Sequence, residues 1–198
     1  MMKNDIILAG VGGQGILSIA TTIGLAAVAN NLFLKQSEVH GMSQRGGDVQ
    51  SHLRLSDKPV SSDLIPYGNA DLIISVEPME SLRYLPWLSD SGWLVTNSNP
   101  FINIPDYPST DEILKEIKKI KNHLIIDADG IAKEAGSARS GNIVILGAAS
   151  TFIDMPFESL ENAIKELFGP KGDDVVKANL KALKAGRVIS KDLSYGNF

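Results

Sequence analysis

Cysteine is absent from this 198-residue sequence. That excludes disulfides, a cysteine nucleophile, a thiolate zinc site and any iron–sulfur cluster ligated by this chain alone. Redox metal chemistry would have to come from a partner, and a reducing cytoplasm is the expected compartment. An excess of cations is missing too: the net charge is −4 and the sequence pI about 5.4, which speaks against nucleic acid, because phosphate-backbone binding needs clustered Lys and Arg. The lysine-rich stretch 115–121 (KEIKKIK) reads as the solvated face of a helix. No uninterrupted apolar run approaches membrane-spanning length. Lys3 and the apolar residues up to 26–29 imitate a secretory signal, but Asp5 and a glycine cluster interrupt it.

The usual catalytic groups are sparse as well. His40, His52 and His123 lack metal-ligand spacing, and Ser18 and Ser43 have no G-x-S-x-G setting. Asp127 and Asp129, in IIDADG, read either as a divalent-ion site or, more commonly for such residues, as caps of a following helix. The expectation is no catalytic set and no metal site of the chain's own.

What is present starts at residues 5–15, DIILAGVGGQG. A short apolar run stops at a glycine loop where a small-residue, apolar helix begins at Ile16. Gly10, Gly12 and Gly15 fit the G-x-G-x-x-G spacing, with Gly13 and Gln14 between them: one glycine for the tight turn, one for close backbone approach, one for helix–strand packing. The N–H groups at the helix start would face an anion. A dinucleotide site also needs an acidic residue after the second strand, and Glu38 is the only candidate, slightly late.

A second unusual segment is 36–47, QSEVHGMSQRGG. It reads as a shaped polar loop in which the Arg45 guanidinium, flanked by Gln44 and Gly46, can address phosphate or carboxylate. After the second strand it should emerge at the carboxyl edge of the sheet, beside the first glycine loop. Ser37, Glu38, His40, Gly41, Ser43, Gln44, Arg45, Gly46 and Gly47 are therefore candidate ligand or interface residues, with His40 the histidine placed to make a functional contact.

Strand-like runs at 6–9, 32–36, 72–76, 93–96 and 124–126 alternate with helical or polar segments. This predicts a single α/β domain over 1–190: a doubly wound, largely parallel sheet with helices on both faces. Val49, Ser51, Leu53 and Leu55 alternate with polar residues, suggesting one half-exposed antiparallel strand at an edge. Residues 142–152, 157–168 and 174–189 suit helices and make a helical C-terminal third. Gly186 is expected at or near the last helix's end, and 191–198 as a flexible tail.

GVGGQG followed by SEVHGMSQRGG resembles the γ-type domain of 2-oxoacid:ferredoxin oxidoreductases, most like the small-subunit form of the indolepyruvate branch. The resemblance continues in residues 72–77 (LIISVE), in Asn142 with Gly147 and Ala148 (NIVILGA), and in Glu161, Ile164, Phe168, Lys171, Asn179, Ala182 and Gly186. It implies the oxidative decarboxylation of a 2-oxoacid with coenzyme A to acyl-CoA and carbon dioxide, with ferredoxin reduced. It also implies that thiamine diphosphate, Mg and iron–sulfur clusters sit in a large partner subunit, with no cofactor bound here. The thiamine GDG-type signature is missing, since Asp129-Gly130 follows alanine and lacks the downstream asparagine. His40 departs from the family, which often has arginine there, and that bears on phosphate contacts. Two alternatives stand beside this reading: the γ subunit of a pyruvate or ketoisovalerate enzyme, and a free-standing nucleotide-binding α/β protein.

Overall fold

The computed structural model describes residues 2–40 and 46–195, with the backbone alone at His40 and at 192–195. A buried strand, β1 (Lys3–Val11), leads through the glycine loop into α1 (Ile16–Ala29). Then come β2 (Phe33–His40), β3 (Asp48–Ser56), β4 (Ala70–Ser75), α2 (Pro78–Arg83), β5 (Leu88–Asn97), α3 (Thr110–Ile117) and β6 (His123–Ile126). The helices α4 (Ala128–Glu134), α5 (Gly141–Ala149), α6 (Phe157–Phe168) and α7 (Asp173–Tyr195) follow. The sheet order is β2-β3-β1-β4-β5-β6. β1, β4, β5 and β6 run parallel, while β3 runs against both of its neighbours.

The continuous apolar runs are explained by cover on both faces. Ile6, Leu8, Leu72, Ile74 and Val95 pack with α1, α5, α6 and α7, whereas Ile7, Ala9, Ile73 and Leu94 pack under α2 and α3. Successive residues of β1 thus enter opposite cores, as a two-residue repeat requires. Asp5 is fully buried yet charged, and the cross-strand Arg54 meets it with a bidentate fork, Nε to Oδ1 at 2.8 Å and Nη2 to Oδ2 at 3.0 Å.

Several expectations are corrected. Residues 36–40 belong to the edge strand β2 rather than to a loop, because each pairs with β3 in unbroken antiparallel register. β3 itself is internal, between β2 and β1, so its alternation reflects a partly covered face and not an edge. The helix expected over 142–152 ends at Ala149 and tightens into a 3-10 turn, Ser150–Phe152. α3 stops at Ile117, leaving half of the lysine run in turns. α7 continues to Tyr195, past the helix expected over 174–189.

Gly186 lies inside α7. A Cβ there would stand 2.0 Å from the Val144 carbonyl oxygen, and one on Gly147 would stand 2.0 Å from the Leu183 carbonyl oxygen. The two glycines let the backbones of α5 and α7 touch, so what resembled a terminator is a packing device.

His52 is buried, its Nδ1 accepting the Ile65 N–H at 3.0 Å and its ring edge-on to Trp87. Burial, opposed by Asp63 and aided by Arg54, holds its pKa below the ordinary 6.5. The unfolded chain then binds this proton more readily than the folded one. The resulting stability is present above about pH 6.5 and is lost as pH falls from there toward the folded value. We expect the urea midpoint to fall between about pH 7 and pH 5, and His52→Gln to flatten that slope; parallel curves for the two proteins would contradict this.

Candidate functional site

The site is built where β1 ends. Val11 N–H donates to Gln14 Oε1 at 2.8 Å, and Gln14 N–H donates back to the Val11 carbonyl at 3.1 Å, so the glutamine folds the loop upon itself. Gly13 and Gly15 have φ of 100° and 83°, a left-handed backbone that glycine adopts without strain. Gly15 is the N-cap of α1 and supplies no side-chain cap, leaving first-turn N–H groups unpaired within the helix.

The glycines do not all play the roles their spacing suggests. Gly10 is still a strand residue, opposite Val49, and its missing side chain admits Val76 from beside β4: a Cβ there would lie 2.4 Å from Val76 Cγ2. Gly15 faces α5, where Asn142 Nδ2 donates to its carbonyl at 3.0 Å and would lie 2.4 Å from a Cβ. The third glycine therefore seats a helix from the far end of the chain.

The expected meeting of the two loops occurs. Gly12 N–H donates to the Gly47 carbonyl at 2.8 Å, and Gly46 N–H to the Gly12 carbonyl at 3.3 Å. Ser37 and Glu38 lie on β2, and the His40 backbone pairs with Val49 at that strand's end. Gly41, Ser43, Gln44 and Arg45 lie outside the described residues.

Three cavities surround the glycine loop. One of about 420 Å³ lies against Gly13, Gln14, Asn99, Phe101, Arg139 and Asn142. A second, of about 560 Å³, opens between α1, α5 and α7 against Gly15, Arg139, Ser140, Lys171 and Asn179. The third, about 250 Å³, lies between the loop, Leu17 and Glu38. Arg139 borders both larger cavities, is exposed, and makes no hydrogen bond or ion pair among the described residues. Lys171 stands over the Phe168 ring at 5.2 Å. Asp129 and Asp174 also line these spaces, so the field is mixed, with the Arg139 guanidinium between the two larger cavities.

The outer wall of the 420 Å³ cavity is the segment after β5. Asn99 Nδ2 donates to Asp127 Oδ1 at 2.7 Å and to Asp129 Oδ2 at 3.0 Å, and Asn103 Nδ2 to the Gly46 carbonyl at 2.7 Å. Asp127 caps α4 through Gly130 N–H at 2.9 Å, and this bond, with Asn99, draws its carboxyl below the usual range. The cap reading of Asp127 holds. Sequence reasoning missed Arg139, whose only signal is its place in ARSGN just before the quoted NIVILGA, and it missed the 98–107 wall.

A dinucleotide arrangement is not reproduced. β3 intervenes between β1 and β2, setting Glu38 one strand spacing, ~4.8 Å, farther from β1 than an adjacent second strand would. Among the described residues no group of three His, Asp or Glu side chains could hold a metal ion, and no helix is long and apolar enough to cross a membrane. The sequence holds no cysteine that could ligate an iron–sulfur cluster.

The fold and edge define an α/β domain that presents glycine turns and a free arginine around cavities, without a nucleophile beside a base among the described residues. Residues 5–189 match the family model described as pyruvate ferredoxin/flavodoxin oxidoreductase, and the chain belongs to that family. It is 39% identical over 194 residues to an indolepyruvate oxidoreductase subunit IorB of Archaeoglobus fulgidus, covering 93% of this chain and 94% of that one. It is 29% identical over 174 residues to the pyruvate/ketoisovalerate oxidoreductases common subunit gamma of Thermococcus kodakarensis, covering 85% and 89%. Its fold is similar to the 2-oxoglutarate:ferredoxin oxidoreductase of Magnetococcus marinus, solved with 2-oxoglutarate, coenzyme A and succinyl-CoA bound, at a TM-score of 0.76 and 22% identity. That match covers 97% of this chain but only 32% of the larger one. These relatives are oxidoreductases or subunits of them.

Proposed function

We propose that this chain is the non-cofactor, γ-type subunit of a 2-oxoacid:ferredoxin oxidoreductase that takes indolepyruvate or a related aryl pyruvate. The C1–C2 bond of the 2-oxoacid breaks to release carbon dioxide. The acyl carbon is joined to the sulfur of coenzyme A, and two electrons pass to ferredoxin. Thiamine diphosphate, Mg and the iron–sulfur clusters belong to a large partner subunit in the cytoplasm; no step of the chemistry is carried by a side chain of this one. Its part is to complete the coenzyme A side of the shared site, with Arg139, and Arg45 beyond the described residues, meeting phosphate.

The observation that carries this reading is the hydrogen-bonded junction of Gly12 with Gly46 and Gly47, set beside an unengaged arginine at a cavity edge. The identities, 39% to the indolepyruvate subunit against 29% to the pyruvate/ketoisovalerate subunit, favour an aryl substrate. A free-standing nucleotide binder is disfavoured by the strand inserted between β1 and β2.

The test is reconstitution with a thiamine- and cluster-binding large subunit. Viologen or ferredoxin reduction with indolepyruvate and coenzyme A is expected from the complex and absent from either chain alone. Robust reduction by this chain alone, or a large chain indifferent to its presence, would overturn the proposal.

A further inference from the structure

Glu77 is fully buried, outside both larger cavities, and the reading above gives it no role. Its two carboxylate oxygens gather donors from separate segments. Oε2 accepts the Glu80 N–H at 2.7 Å, capping α2. Oε1 accepts the Phe101 N–H at 3.3 Å and a short hydrogen bond from the Tyr107 hydroxyl. Burial, reinforced by this carboxylate, raises the Tyr107 pKa, so the phenol stays a donor.

Phe101 and Pro100 line the 420 Å³ cavity. A residue that lines this wall, Phe101, is therefore the residue whose N–H is held by Glu77. The segment from 98 to 107 is pinned on one side by Asn99 and on the other by Asn103, leaving Phe101 and Ile102 exposed, the latter to 71%. Glu77 fixes the middle of this span from beneath.

We infer that Glu77, acting with Tyr107, is a positioning residue that sets the Pro100–Phe101 wall and thereby the affinity of the assembled enzyme for coenzyme A. The inference rests on the coenzyme A reading above. The chemistry demands a carboxylate: a glutamine would present its NH2 group either to the Glu80 N–H or to the pair from Phe101 and Tyr107, setting donor against donor in a buried place. Tyr107→Phe removes a single hydroxyl and leaves the α2 cap intact, so it is the cleaner variant.

Two measurements test this. In the isolated chain, hydrogen exchange of the Phe101 amide is expected to speed up in both Tyr107→Phe and Glu77→Gln. In the reconstituted complex, Tyr107→Phe is expected to raise KM for coenzyme A about 3- to 10-fold, with kcat and KM for the 2-oxoacid within about twofold of wild type. The double variant should add little to Glu77→Gln, because the two act as one contact. Should Glu77→Gln fail to fold, Tyr107→Phe alone decides. Faster exchange with an unchanged KM would mean an anchor without a positioning role and would overturn the inference. Unchanged exchange would overturn it at the anchor. A wild-type complex that does not use coenzyme A would instead remove the underlying reading.

Discussion

Gly186→Ala is expected to destabilise the chain by about 3 kcal/mol or more, although helix propensity alone would make it stabilising. Replacing a helix-interior glycine with alanine ordinarily gains roughly 1 kcal/mol. Here the new methyl would lie 2.0 Å from the Val144 carbonyl oxygen and 2.8 Å from the Ala148 nitrogen. Both are backbone atoms of α5, which cannot turn aside as a side chain could. The helices must separate, and overpacking typically costs about 1–3 kcal/mol and sometimes more. Against a total stability of about 5–15 kcal/mol, such a loss is a large share. Gly147→Ala should behave alike, and the pair should be non-additive because both open the same crossing. Urea unfolding followed by circular dichroism decides the sign. A more stable Gly186→Ala protein would show that the crossing yields easily.

Arg139→Ala is expected to raise KM for coenzyme A by about 10- to 100-fold in the reconstituted complex, with kcat nearly unchanged. A charge-assisted hydrogen bond is commonly worth about 1.5–3 kcal/mol, and each ~1.4 kcal/mol is tenfold in affinity. The absence of any partner for this guanidinium among the described residues makes the whole of that contact available to a ligand. Arg139→Lys should fall between, keeping charge but losing the planar fork. Dephospho-coenzyme A distinguishes which phosphate is met: if it is the ribose 3′-phosphate, wild type and Arg139→Ala should bind that analogue equally. Equal KM values for coenzyme A across Arg, Lys and Ala would make Arg139 an ordinary surface residue.

Much of this arrangement was legible in the sequence, and the boundary of legibility has physical causes. The strand, the glycine loop and the start of α1 at Ile16 follow from local patterning, because chain direction and backbone freedom suffice to define them. The apposition of the loop with Gly46 and Gly47 followed from topology alone, since a second strand parallel to the first must deliver its successor to the same edge. The identity of segment 36–40 as strand did not follow. Its polar alternation suits either a loop or an edge strand, and only the register with β3 separates the two. Gly186 was misread because the absence of a side chain does not say whether a helix ends or a neighbour arrives. Glu77 and Tyr107 lie 30 positions apart, and no periodicity links them. Arg139 carried no signal beyond its neighbours, since what sets it apart is the lack of a partner among the described residues.

The direct backbone contact of α5 with α7 also orders events in time. Until α7 packs, α5 has a bare strip of peptide groups at Gly147 that α7 alone covers with its own backbone at Leu183. α7 also contributes Ala178 and Asn179 to the wall of the 560 Å³ cavity. The carboxyl edge is thus assembled from segments more than 160 positions apart, so that closing the α5–α7 crossing and completing the cavity wall beside Gly15 are one event.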